Sequence, residues 1–234
     1  MISPLSLQPP QIITPQLTQN IHYLSISSNG YTTSIVRNLG LRTRPLPFDW
    51  VNTNIKSLCK CFEDNFQKYH TNLKIIDNNT THVTDEYGFL FKYDYPLYTN
   101  ENMNSTKNIV VDYNQHFLDS FIQHNKIHNI VIEKYINRID NFQQLMTNST
   151  DPVICLCNYS IEDVIKLRNL FITYYNRTPD NFYIINIYYS PSIDHIYIPQ
   201  NIYNVNLNTR SIYIWKYMID LVVRHHNSKK LGCP

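Results

Sequence analysis

Residues Pro152–Tyr189 read PVICLCNYSIEDVIKLRNLFITYYNRTPDNFYIINIYY. PVICLC is a short apolar run closed by Asn158, the pattern of a strand buried on both faces. Ser160 then stands where a helix cap is wanted, with Glu162 and Asp163 in the first turn to complement the helix dipole. Ile161, Val164, Leu167, Leu170 and Phe171 recur at helical spacing and define an apolar face. NFYIINIYY is a second run of β-branched and aromatic residues and reads as the next strand. A strand, a helix and a strand in this order predict two parallel neighbours joined by a helical crossover. The fold class that follows is α/β: a single domain with a mixed sheet flanked by helices and an extended N-terminal arm. Cys155 and Cys157, two apart on a strand, share one face and read as core thiols.

Working outward, Asp112 to His124 and Asn129 to Met146 predict two helices, and the polar residues 98–108 before them a surface loop. EYGFLFKYDYPLY, from Glu86, reads as a strand or hairpin arm ended by Pro96. In NTNIKSLCKCFEDNFQKYH, the spacing of Ile55, Leu58, Phe62 and Phe66 predicts a helix. RPLPFDW is a proline-rich connection. Before it, Thr32 or Thr33 is expected to cap a helix over Ser34 to Leu39 that Gly40 closes. HYLSIS, from His22, alternates as a strand. On the C-terminal side, IYIPQNIYNVNL gives one or two short strands and Ser211 to His226 a last helix. Residues 1–20 hold four Pro, four Gln and no charge, an extended arm. The domain thus spans 21–228, with 229–234 as a tail.

The chain has 234 residues, is 43% hydrophobic and carries a net charge of +2. That suffices for a sizeable core and gives no basic footprint for nucleic acid. Four glycines leave no Gly-rich phosphate cradle, and no cofactor is expected. No apolar run is long enough to cross a membrane, and the N-terminus does not read as a secretion signal. Five Cys without such a signal suggest free thiols in a reduced compartment, the cytoplasm or a virion. Cys59/Cys61 and Cys155/Cys157 have C-x-C spacing, unlike a zinc knuckle, and no metal is expected. With 29 Asn, 30 Ile, 19 Tyr and no Ala, the composition points to an A+T-rich genome, such as that of a large DNA virus, a protist or a parasite. So much Asn also makes chance Asn-x-Ser/Thr matches frequent, at Asn78, Asn79, Asn104, Asn148, Asn158 and Asn176.

Several short motifs follow one another. Ser25-Ile26-Ser27-Ser28-Asn29-Gly30 leads to Leu39-Gly40-Leu41-Arg42 and then to Pro47-Phe48-Asp49-Trp50. Phe62 and Phe66 come next, then Tyr87-Gly88 and Phe91-Lys92-Tyr93-Asp94, then Lys134-Tyr135 and Arg138-Ile139. This order resembles a family of papain-like cysteine peptidases of otherwise unknown function, over about residues 22–190. The resemblance implies a cysteine at position 30, a histidine at 93 and an acid at 94. A cysteine at a helix start beside an imidazole is an activated thiolate. Here the positions hold Gly30 and Tyr93; only Asp94 keeps the family's residue. Glycine has no nucleophile, and tyrosine is a poor base near neutral pH. The sequence therefore resembles a catalytically inactive member that acts as a binding or structural protein, with a protein partner or a second copy of itself. Asn29, Asp49 and Trp50 are its candidate binding residues, although Asp49 and Trp50 also read as a structural turn and a core anchor. The alternative is an active hydrolase with a displaced nucleophile: Cys59 or Cys61, or Ser27, Ser28 or Thr32 served by His22 or His82.

Overall fold

The computed structural model describes residues 21–77, 80–95, 118–119, 122–123, 126–147, 150–178, 180–189, 201–207 and 211–230. Their strands form two sheets. The strands β1 (His22–Ser25), β6 (Val153–Cys157), β7 (Phe182–Tyr189) and β8 (Ile202–Leu207) make a parallel sheet in the order β1-β6-β7-β8. The strands β2 (Val51–Asn52), β3 (Lys74–Asp77), β4 (Thr80–Thr84) and β5 (Leu90–Phe91) make an antiparallel sheet in the order β2-β5-β4-β3. A parallel bridge between Ser27 and Asn52, with Thr53 N donating to Ser27 O at 2.9 Å, ties one sheet to the other.

Five helices are described: α1 (Tyr31–Asn38), α2 (Ile55–Glu63), α3 (Lys126–Thr147), α4 (Ile161–Tyr175) and α5 (Ile212–Lys230). The β6–α4–β7 unit is the expected crossover. Ser160 caps α4 by accepting from Asp163 N, and Asn176, in the left-handed region at φ 50, ends it. The chain is thus a single α/β domain.

The parallel sheet divides the core. Alternate residues of each strand point to opposite faces. Leu24, Val153, Cys155, Cys157, Phe182 and Ile184 face a cluster shared with α2, α3, α4 and the antiparallel sheet. Ile154, Leu156, Tyr183, Ile185 and Ile187 face a second cluster with Ile35 and Val36 of α1 and Trp215, Met218, Val222 and Val223 of α5. All five residues of β6 are buried, which explains its unbroken apolar run. Cys155 and Cys157 are core thiols, as expected.

Some expectations change. Helix α2 stops at Glu63, because Asn65 and Phe66 turn into the left-handed region at φ 54 and 66. Phe62 and Phe66 are both buried nonetheless, with ring centroids 6.0 Å apart. Their spacing signals a shared core, not a continuous helix. Within 86–95 the regular strand is only Leu90–Phe91. The N-terminal arm, the loop at 98–108, the segment 190–200 and the end of the tail at 231–234 lie outside the described residues. So does most of the helix expected at Asp112–His124, of which 118–119 and 122–123 are helical.

One buried polar residue gives the fold a pH dependence. His70 is 5% exposed, between the rings of Phe91 at 3.9 Å and Tyr135 at 4.2 Å, with Nδ1 3.0 Å from Tyr95 Oη. Burial, reinforced by the cations Lys134, His128 and Arg138, lowers its pKa to about 3. Asp85, which accepts the His70 N–H, is pushed up by burial to about 6 while backbone N–H groups of Phe89, His70, Gly88 and Tyr87 pull it back. The unfolded chain protonates His70 near pH 6.5 and the folded chain does not, so stability falls as pH drops below 6.5. Asp85 acts oppositely between about pH 6 and its ordinary value of 3.8, since there the folded state binds the extra proton. The His70 shift is the larger, so acid destabilises on balance. His22, His128 and His225 are also lowered and act with the same sign. Denaturant midpoints measured from neutral to mildly acidic pH are expected to decline less steeply in His70→Phe than in the wild type. Parallel profiles would contradict this assignment.

Candidate functional site

The site is built where β1 ends. Past Ser25 the chain runs through Ser27, Ser28 and Asn29 to Gly30, which stands at the N-cap of α1 with φ 69 and ψ 1. This corrects the expected cap: Thr32 and Thr33 lie inside the first turn of the helix, fully buried, and cap nothing. Asn29 does part of that work, its Oδ1 accepting Tyr31 N at 3.1 Å. Because β1 and β6 are parallel neighbours, their C-terminal ends meet here. Asn158, just past β6, donates from Nδ2 to Asn29 Oδ1 at 3.2 Å and accepts Ser28 N at 2.9 Å.

Gly30 is the residue its backbone requires. A φ near +70° strains any L side chain and suits glycine. Space is not the obstacle: a Cβ at this position would meet the Trp50 Cα at 3.6 Å, an ordinary contact.

Beneath Gly30 lies Asp49, 4% exposed. Its Oδ2 accepts from Arg42 Nε at 3.0 Å, from Arg42 Nη2 at 2.9 Å and from Leu46 N at 3.0 Å. Its Oδ1 accepts the Ser25 hydroxyl at 3.0 Å. Since a carboxylate only accepts, the Ser25 proton points to Asp49. Thr33 Oγ1, 2.8 Å away, must then donate to Ser25. Thr33 in turn accepts Trp50 N at 3.1 Å. Trp50 holds φ 65, costly for a bulky residue and sustained by this chain of bonds. From α3, Arg138 donates to Asp49 O at 3.4 Å.

On this support an open pocket of about 290 Å³ is lined by Asn29, Gly30, Tyr31, Ser34, Trp50 and Tyr93. Tyr93 is 69% exposed, and its ring meets that of Trp50 edge-on, at 5.9 Å and 83°. Gly30 and Tyr93 therefore share one site although 63 positions separate them. Asp94 turns away from it: Lys134 pairs with its Oδ1, and Tyr135 Oη donates to its Oδ2 at 2.5 Å. Of the candidate binding residues, Asn29 and Trp50 line the pocket. Asp49 is filled by its frame partners and acts on the pocket through Trp50. Trp50 is half-buried and belongs to neither core cluster, so it is a wall of the pocket and not a core anchor. Sequence reasoning passed over Tyr31 and Ser34. Their spacing of three, directly after a helix-starting glycine, was the available signal.

Displaced nucleophiles find little support. Cys61, Cys155 and Cys157 are buried, and burial raises all three thiols. Cys59 is half-buried and is raised by burial and by Glu63, the opposite of an activated thiolate. Ser27 and Thr32 are buried. His22 pairs with Asp151 at 3.6 Å, at the start of β1. That is about 20 Å of extended chain from Ser28, at roughly 3.3 Å per residue. The His82 side chain and Cys233 lie outside the described residues. Among the described residues no cluster of His, Cys, Asp or Glu is placed to hold a metal, and no helix is long and apolar enough to cross a membrane.

The model of the family described as "Putative papain-like cysteine peptidase" matches residues 21–187, and the chain belongs to that family. No curated protein and no solved structure matches it.

Gly30→Ala tests the backbone assignment. The left-handed conformation should make this variant less stable by about 1 kcal/mol, read from denaturant midpoints. A neutral or stabilising effect would mean that residue 30 has an ordinary helical φ.

Proposed function

We propose that this member of the papain-like cysteine peptidase family is a non-catalytic binding or structural protein, and that it uses as a recognition surface the place where its relatives would carry out chemistry. One observation carries this reading. Gly30 and Tyr93, which stand at the family's cysteine and histidine positions, line the same pocket. Neither supplies an activated nucleophile or an imidazole base, and no described cysteine replaces them. The pocket's other lining residues are aromatic or neutral polar groups, suited to contact and not to proton transfer.

The partner fits a protein chain, another protein or a second copy. Aromatic residues are the side chains that protein interfaces favour: Tyr31, Trp50 and Tyr93 line the pocket, and on α5 Tyr213 is 80% exposed and Tyr217 64%. Unpaired thiols agree with a reduced compartment such as the cytoplasm or a virion. The composition agrees with a source such as a large DNA virus.

Reaction of the native protein with a small thiol-directed electrophile near neutral pH decides between this reading and a displaced catalyst. Intact mass and peptide mapping should show Cys59, Cys61, Cys155 and Cys157 each labelling more slowly in the native than in the denatured chain. A single cysteine that labels far faster in the native protein would overturn the proposal and identify the nucleophile.

A further inference from the structure

Of the 29 asparagines in the chain, Asn29 alone is followed by glycine. The pair has a chemistry of its own, because the carboxamide of an asparagine can be attacked by the main-chain nitrogen of the next residue. A side chain on that next residue crowds the approach, and glycine has none. Asn29 is exposed, so water and hydroxide reach it.

The fold holds the two reacting groups together. Asn29 Oδ1 accepts Tyr31 N at 3.1 Å. This bond closes a turn around Gly30 and lays the carboxamide against the Gly30 amide. Oδ1 also accepts Asn158 Nδ2 at 3.2 Å. Asn158 is itself fixed, since its Oδ1 accepts Ser28 N at 2.9 Å. Two donors on one carbonyl oxygen withdraw electrons from its carbon and stabilise the negative charge that nucleophilic attack places on that oxygen. Tyr31 opens α1, and the positive end of the helix dipole acts in the same direction. Among the described residues no hydrogen bond holds Asn29 Nδ2, the leaving group, or the Gly30 N–H, the nucleophile.

We propose that Asn29 is a site of self-modification in the folded protein, where the chain converts this asparagine to a carboxylate through a cyclic imide with Gly30. Hydroxide takes the Gly30 N–H proton, and the nitrogen bonds to Asn29 Cγ. The tetrahedral carbon then expels Nδ2, which takes a proton from water, leaves as ammonia and regenerates the hydroxide. Water opens the ring. Breaking the new Cγ–N bond leaves aspartate; breaking the original main-chain bond leaves isoaspartate, with Gly30 attached through Cγ. Either way a water is taken up, an ammonia is lost and nothing is oxidised or reduced. The pocket lining of Asn29, Gly30, Tyr31, Ser34, Trp50 and Tyr93 is otherwise uncharged. The modified protein therefore presents there a negative charge that the unmodified protein lacks. This holds whether or not the pocket is a recognition surface.

The test incubates the full folded chain at neutral and mildly alkaline pH beside a synthetic peptide of residues Ile26 to Ser34. Peptide mapping that separates aspartate from isoaspartate follows both. In the native chain the mass gain from exchange of NH2 for OH should appear at Asn29 ahead of Asn104, Asn148 and Asn227, each of which precedes serine. Asn29 should react about fivefold or more faster in the native chain than in the peptide, and Asn158→Ala should slow the native reaction by about fivefold, as loss of one hydrogen bond to the carbonyl oxygen predicts. An Asn29 that stays unmodified in the native chain, a native rate no faster than the peptide's, or an Asn158→Ala rate equal to or above that of the wild type overturns the proposal.

Discussion

Everything about the site rests on one buried carboxylate. Asp49 has been taken out of water, and a buried charge is tolerated only when it is paired and hydrogen-bonded. Here Arg42 neutralises it, Leu46 N bonds it, and Ser25 and Thr33 pass a one-way chain of hydroxyls from Trp50 N–H to its Oδ1. The three residues bonded to it, Ser25, Arg42 and Leu46, come from β1 and the connection after α1, and Thr33 of α1 and Trp50 stand behind Ser25. Removing the charge would leave their donors unpaired together. The carboxylate thereby fixes how strand, helix and loop meet, and it holds Trp50 in a backbone conformation that a bulky residue does not otherwise keep.

This network also explains why scattered short motifs belong together. Ser25, Arg42 and Asp49 lie in three separate motifs of the resemblance and converge on a single set of hydrogen bonds. Lys134 and Tyr135 hold Asp94, and Arg138 stacks on the Tyr135 ring at 5.0 Å while donating to Asp49 O. Glycine at 30 is accompanied by a left-handed φ, and tyrosine at 93 by an edge-on contact with Trp50. Gly30 and Tyr93 thus both shape the pocket, one through the main chain and one as an aromatic wall.

The parallel unit was legible because three independent signals agreed over Pro152–Tyr189: a doubly buried strand, a capped and acidic helix start, and a second β-rich run. Phe62 and Phe66 show where spacing misleads. Both are buried in one aromatic cluster, yet the left-handed pair Asn65 and Phe66 breaks the helix between them. The β3–β4 hairpin was not read, because in a chain so rich in Asn an Asn-Asn pair has little value as a turn signal. At the site, Gly30 and Tyr93 could be named from the sequence, and their shared pocket could not. Their proximity depends on the bridge between Ser27 and Asn52 and on β2 pairing with β5, both set by long-range contacts. Asp49 read first as a structural turn and second as a ligand contact; its burial and its full set of partners separate the two.

The most direct test of the central constraint is amide hydrogen exchange, residue by residue, in Asp49→Asn against the wild type. The substitution keeps the shape and puts an amide NH2 where donors converge. Exchange at Leu46 and Trp50 should accelerate by about tenfold or more, as loss of a buried charged bond predicts. Exchange at Cys155 and Ile185 in the parallel sheet should stay as it was. Unchanged exchange at Leu46 and Trp50, or equal acceleration throughout β6 and β7, would contradict the account of Asp49 as the local anchor of the site.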